Sequence, residues 1–355
     1  MADPRIQKFS QTICDRIDVV ADDIVLVLCN EKVTPLIIEL QREILRKSAY
    51  PEIRIQLDEM KYNLLKYGQD KHLQHFPPGL ARDIEVATKL ISIESEMNSY
   101  TLRRITDEKL SLWQHTAEPY YRRLDFVPTI ITIFPNTHYA NKAGLSLEEY
   151  EDLFYNAVAI DMEKLHQQYR PVEKMLSQGH KFHIRTTDTD LKFELGPNRQ
   201  FTMHALLTNL PEGELFCAPL ENSVNGHIRF QHPATYQGKV FKNIYLQFRD
   251  GEAIQLESDT EQHELRQLLQ IDPGAGKIGE FGIGINPAIP DLTNDLLFDE
   301  KRAGTLHLAF GDSHPEVGGT NRSVIHFDMI KDMRGDGEIV MDGRVIYREG
   351  KFCAY

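Results

Sequence analysis

The chain has 355 residues, with 40 Lys plus Arg against 53 Asp plus Glu and a formal net charge of -13. That length argues for two domains with separate cores, and that acidity argues against a nucleic-acid or anionic-membrane surface. With 41% hydrophobic and 26% charged residues, the composition is that of a soluble globular protein and excludes a disordered or fibrous one.

The N-terminus MADPRIQKFS lacks the apolar core of a signal peptide, and no window holds the roughly 20 apolar residues of a membrane span. A cytoplasmic protein is expected. Cys14, Cys29, Cys217 and Cys353 are scattered without a CxxC pair, the pattern of reduced thiols.

After a short helical lead, Ile24 to Cys29 (IVLVLC) is a continuous apolar run of strand length, as in a strand covered on both faces. Thr34-Pro35 should open a helix through about Lys47, with Thr34 as N-cap and Pro35 at the first helical position. EIRIQL from Glu52, a helix near Met60 to Tyr67, another from about Leu80, LISIES from Leu90 and VPTIITIF from Val127 follow. Strand alternating with helix predicts an α/β N-terminal domain with a parallel sheet. Ser146-Leu147-Glu148-Glu149 reads as a capping box opening a long amphipathic helix to about Gln178, with a break at Pro171.

The domain boundary is expected near Gly179, giving residues 1–179 and 180–355. From Lys181 the runs shorten: KFHIRTT, DLKFEL, HIRF, KVFKNIYLQF and AIQLES, with one helix from Thr260 to Leu269. EIVMDGRVIY reads as a hairpin turned by Asp342-Gly343. The second half is therefore expected to be an α+β domain, mainly antiparallel or mixed.

Gly274-Ala275-Gly276-Lys277-Ile278-Gly279 matches G-x-G-x-x-G, but a helix precedes it and a glycine-rich strand follows, the reverse of a dinucleotide site. No HExxH and no GxSxG is present. His72, His75, His115, His166, His180 and His263 lie in polar, helix-like or loop contexts that suit solvated side chains. His183, His204 and His227 sit near strands but lack a spaced partner.

The stretch from Gly279 to Asp328 is different. It interleaves Glu280, Glu300, His307, His326 and Asp328 with Ile, Leu, Phe and Val, and burying such groups costs several kcal/mol unless they share a partner. In VIHFDMI, strand alternation aims His326 and Asp328 to one face. Glu280 leads a glycine-rich strand, His307 centres TLHLAFG, Glu300 precedes it by a turn, and NLPEGELFCAP supplies Glu212 and Glu214. Carboxylates and imidazoles without thiolates suit zinc, cobalt, manganese or magnesium. Their number fits two ions sharing a carboxylate and a water.

NLPEGELFCAP, GEFGIG, LFDEK followed by GTLHLAFG, GGTNRS and IHFD, in that order, resemble the metallo-aminopeptidases of the aminopeptidase T type, also called thermophilic or leucyl aminopeptidases. DIVLVLCNEKVTPLIIEL and AYPEIRIQL extend the resemblance into the N-terminal half. It implies an N-terminal α/β domain, a C-terminal catalytic metal-binding domain, a homodimer with enclosed active sites, two divalent ions, and removal of the first residue from peptides with a free N-terminus. It implies metal ligation by Glu214, Glu280, His307, His326 and Asp328, with Glu300 as ligand or base. Glu212 competes with Glu214, and Glu280 competes with Glu300 for the role of base. His314 stands where that family often carries a catalytic tyrosine, so it is either a donor to the developing oxyanion or a loop spectator. Two rival expectations stand beside this one. His307, His326 and Asp328 alone form a two-histidine, one-carboxylate set for a ferrous ring-cleaving dioxygenase; alternatively, the scaffold serves a non-catalytic binding protein.

Overall fold

The computed structural model describes residues 3–94, 105–203 and 207–353; His204 lies outside them. The chain divides into two compact units, residues 1–159 with 204–211, and residues 160–203 with 212–355.

The first unit holds a five-stranded parallel sheet. Its strands are β1 (Ile24–Cys29), β2 (Tyr50–Ile55), β3 (Lys89–Glu94), β4 (Thr129–Ile133) and β5 (Leu207–Leu210), in the order β2-β1-β3-β4-β5. β1 forms because its β-branched and leucine side chains fill both faces of a covered strand. Val25, Leu26 and Val27 are fully buried, and Leu26 joins Phe76, Ile84, Leu90 and Leu124 in one apolar cluster. β2 lies at the sheet edge, with Tyr50 and Ile55 exposed.

Three local expectations shift. Thr34 is the first residue of its helix rather than its cap. A 3-10 turn, Glu31–Val33, precedes it, capped by the Asn30 side chain, and the Thr34 hydroxyl turns back to donate to the Glu31 carbonyl. The long helix breaks not at Pro171 but between Leu147–Val158 and Met162–Ser177, where Asp161 caps the second helix by accepting from Lys164 N at 3.0 Å. KVFKNIYLQF is interrupted by Asn243 at φ 51°, which separates Lys239–Phe241 from Ile244–Arg249. The capping box does form. Ser146 Oγ accepts from Glu149 N at 3.3 Å, and Glu149 Oε2 accepts from Ser146 N at 2.8 Å.

The second unit has antiparallel sheets. An eight-stranded one runs in the order 252–257, 244–249, 225–230, 189–194, 181–186, 338–341, 344–348 and 351–352. Asp342 and Gly343, both at positive φ, turn its hairpin. A four-stranded sheet comprises β6 (Glu214–Cys217), β7 (Ile278–Gly284), β8 (Thr305–Gly311) and β9 (His326–Asp332), in the order β9-β8-β7-β6. Leu215 and Cys217 of β6, Phe281 and Ile283 of β7, Leu306, Leu308 and Phe310 of β8, and Phe327 and Met329 of β9 belong to the unit's apolar core. Period-two alternation therefore sends the intervening residues to the other face of the sheet. Among the described residues, no helix is long and apolar enough to cross a membrane.

Candidate metal centre

The face of the four-stranded sheet turned away from that core carries the polar residues. Register sets their spacing: Glu214 lies opposite Gly284, Phe216 opposite Gly282, Gly282 opposite His307, Ala309 opposite Asp328 and Gly311 opposite His326. Every residue of β7 and β8 is buried, so Glu280 and His307 can be tolerated only through one another or a shared cation.

Glu280 is the hub. Its Oε1 is 3.2 Å from His307 Nε2, and its Oε2 is 3.0 Å from His314 Nε2 and 3.2 Å from His326 Nε2. Glu214 Oε2 lies 3.4 Å from His307 Nε2, and Asp328 Oδ2 lies 3.3 Å from His326 Nε2. Two donor groups thus share one carboxylate: Glu214, Glu280 and His307 on one side, and Glu280, His314 and His326 on the other. Of the two carboxylates in the PEGE turn, it is Glu214 that reaches the histidine. Glu212 holds Asn286 through its main-chain carbonyl at 2.7 Å.

His307 lies over Gly282. A Cβ added there would sit 2.1 Å from the imidazole Cε1 and Nε2, so glycine is what lets the ring approach the strand.

Glu300 enters from the C-terminal end of a one-turn helix, Leu296–Asp299, which Asp295 caps. Its neighbour Lys301 is buried and bridges Glu214 Oε1 at 2.5 Å and Glu300 Oε1 at 2.7 Å. Asp299 anchors this segment by accepting from Thr293 N at 2.7 Å and from His232 Nε2 at 2.8 Å. Sequence reasoning missed Lys301 and Asp299, because in LFDEK they read only as the flanks of Glu300, and His232, because it lies far outside the Gly279 to Asp328 stretch. Lysine beside a carboxylate pair in an otherwise apolar segment was the available signal. His183, by contrast, pairs with Asp190 at 3.0 Å and His227 packs beside Tyr245, both in the eight-stranded sheet.

The electrostatics follow from burial. Burial pushes the Glu280 carboxyl up, but the imidazoles of His314, His307 and His326 outweigh it and hold the group well below the usual carboxylate range. Burial raises Glu300 to about 7; Lys301 opposes that rise, and the carboxylates of Glu214 and Asp328 add to it. Burial disfavours the charged imidazoles, yet Glu280 and Glu214 lift His307 to about 9, and Glu280 and Glu316 lift His314 to about 10.

A divalent metal fits these residues. Glu214, Glu280, Glu300 and Asp328 face one permanent cation, Lys301, so the charge balance calls for protons on the imidazoles or for metal cations. Glu214 Oε2, Asp328 Oδ1 and His307 Nδ1 are buried and make no hydrogen bond, the condition of donors awaiting a partner. The set is oxygen and nitrogen only, which suits zinc, cobalt, manganese or magnesium. Glu280 stands between His307 and His326, an arrangement that a single-ion triad of His307, His326 and Asp328 does not need.

The whole chain matches known proteins. The family model described as thermophilic metalloprotease (M29) covers residues 2–352. Aminopeptidase 2 of Geobacillus stearothermophilus is 31% identical over 161 residues, 40% of this chain and 37% of that protein. Aminopeptidase T of Thermus thermophilus is 29% identical over 197 residues, 48% of this chain and 46% of that protein. Each of these alignments thus spans less than half of the curated relative. The solved structure of wild-type AmpT from Thermus thermophilus superposes with a TM-score of 0.84 at 21% identity over 99% of both chains, so the fold is shared throughout.

Proposed function

The chain belongs to the thermophilic metalloprotease (M29) family, and on that premise we propose that it is a two-metal aminopeptidase that removes the first residue from peptides with a free N-terminus. The observation that carries this reading is the sharing of Glu280: one oxygen faces His307, the other His326 and His314. A carboxylate presented this way is suited to bridge two ions. Glu214 and His307 would complete one side, and His326 and Asp328 the other.

Two such ions supply Lewis acidity at the scissile carbonyl and a water deprotonated near neutral pH. The protein's own part is proton handling and placement. Both oxygens of Glu280 are already engaged by imidazoles, so Glu300 is the better general base, and burial holds it at about 7, near the working pH that favours such a role. Glu300 takes the proton from the attacking water and returns it to the leaving amine. Lys301 keeps the Glu300 and Glu214 carboxylates apart in orientation and compensated in charge. The surplus of carboxylates offers the substrate α-ammonium its counter-charge, which confines cleavage to the chain end.

Cytoplasmic action and a homodimer belong to the same reading. The four unpaired cysteines suit a reducing compartment. The test is release of leucine from leucyl peptides by protein loaded with cobalt or zinc, with N-acetylated peptides as the blocked control. Loss of turnover in Glu214→Ala and Asp328→Ala is expected. Full activity in either variant, or equal cleavage of the blocked peptide, overturns the assignment.

A further inference from the structure

We infer that His314 is a metal ligand, its Nε2 joining His326 Nε2 and Glu280 Oε2 in a nitrogen-rich half-site that favours zinc or cobalt over magnesium or manganese. This rests on the reading of the cluster as a metal centre and extends it by one ligand, from a loop rather than a strand.

Three observations carry it. First, the donor atoms of Glu280, His314 and His326 lie within 4.8 Å of one another, and both imidazoles aim Nε2 at the same carboxylate oxygen, at 3.0 and 3.2 Å. Secondly, each ring faces an acceptor at its far nitrogen, at hydrogen-bond distance for His326 and at ion-pair distance for His314. His326 Nδ1 lies 2.9 Å from the Asp312 carbonyl oxygen, and His314 Nδ1 lies 3.6 Å from Glu316 Oε1. Once a cation replaces the imidazolium protons, an acceptor beside Nδ1 favours the remaining proton there and frees Nε2 to ligate, the outer-shell arrangement that ligating histidines use. A histidine serving only as donor to substrate would instead carry its proton on Nε2.

Thirdly, the loop is built to hold the ring. The His314 imidazole packs against Phe216 at 5.2 Å and His326 at 5.5 Å between centroids. Pro315 follows it, and the His314 carbonyl accepts from Val317 N at 3.3 Å and Gly319 N at 3.0 Å. A Cβ at Gly319 would fall 2.5 Å from Ser313 Oγ, so the turn closes tightly on itself. Two imidazoles in one half-site shift its preference, because nitrogen donors suit zinc and cobalt whereas magnesium and manganese prefer all-oxygen sites.

The experiment titrates metal-free wild type, His314→Gln and His314→Cys with cobalt(II), followed by calorimetry and visible absorption, with far-ultraviolet circular dichroism confirming that each variant is folded. The expected result is two binding events in wild type, one of them weakened at least 10-fold in His314→Gln. In His314→Cys, a thiolate-to-cobalt charge-transfer band should appear, with both events retained. Wild-type affinities at both sites in His314→Gln, together with no such band in His314→Cys, overturn the inference and leave the two-metal reading intact. A single event in wild type overturns the two-metal reading instead, and the charge-transfer band then decides alone whether His314 is a ligand.

Discussion

Strands β1 and β7 are both buried along most of their length, and they are buried for opposite reasons. In β1, Val25, Leu26 and Val27 are apolar on both faces and touch apolar neighbours. In β7, Phe281 and Ile283 face the core while Glu280, on the other side of the strand, meets three imidazoles. Burial of the first kind is worth roughly 1.5–3 kcal/mol per large side chain. Burial of the second kind costs stability unless charges meet, so it persists where the charges do chemistry. Apolar burial therefore marks the scaffold, and compensated polar burial marks the site.

The sharpest way to break this contrast is to remove compensation. Lys301→Met leaves Glu214 and Glu300 facing each other without their buried cation, which should cost about 3–5 kcal/mol in the metal-free protein. Excess zinc should restore part of the loss, since a bound ion stabilises by mass action. Thermal unfolding with and without zinc checks both, and an unchanged melting temperature would count against the charge argument.

Smaller in stability, but more telling about position, is Gly282→Ala. The added methyl meets the His307 ring, and overpacking of this kind costs roughly 1–3 kcal/mol. Metal affinity should fall about 10–100-fold, as when ligand orientation is disturbed. Val27→Ala in β1 should cost a similar 1–3 kcal/mol from lost packing and leave metal affinity unchanged. Paired urea titrations and metal titrations separate the two kinds of burial; equal metal affinity in both variants would erase the distinction.

The smallest effect concerns a charge pair that needs no metal. Glu221 accepts from Arg199 Nη2 at 2.9 and 2.8 Å and from Thr320 Oγ1 at 2.9 Å. Burial pushes its carboxyl up, but its own main-chain N–H, Arg199 and Thr320 outweigh that and hold it below the ordinary value. A depressed carboxyl contributes stability above the unfolded pKa of about 4.3 and loses it as pH falls through the folded pKa. Glu221→Gln should thus cost about 1 kcal/mol at neutral pH, and the gap from wild type should close in acid. Urea midpoints at neutral and acid pH, with metal content unaltered, check it.

Much of this was legible in the sequence because it is local. The IVLVLC run, the Ser146 capping box, the Asp342-Gly343 turn and the HxD alternation each depend on residues a few positions apart. The donor cluster was legible as a list, since Glu280, His307, His326 and Asp328 are polar residues in apolar strands. Who meets whom was not, because that is fixed by the register of β6, β7, β8 and β9. That register sets Gly282 beneath His307 and Glu280 between His307 and His326, while His314 and Lys301 reach the cluster from outside the strands. His314 looked like a loop residue of uncertain use, because Glu280, Phe216 and His326, the groups that surround it, come from distant parts of the chain and meet it only in the folded protein. The break in the long helix was misplaced because proline is the stronger sequence signal, whereas Asp161 stops and restarts the helix with a single side-chain acceptor.

The alternation in β6 carries one more consequence. Glu214 turns toward the centre while Cys217 turns into the apolar core, where burial raises its thiol far above the thiolate range. Sulfur chemistry is thereby kept on the opposite side of the sheet from the metal donors. The hard and borderline ions that carboxylates and imidazoles favour have no thiolate to lose them to, and soft ions find no sulfur to anchor displacement. An oxidant that would strip a cysteine-ligated centre finds no thiol among these donors, and Cys14, Cys29 and Cys217 are themselves buried.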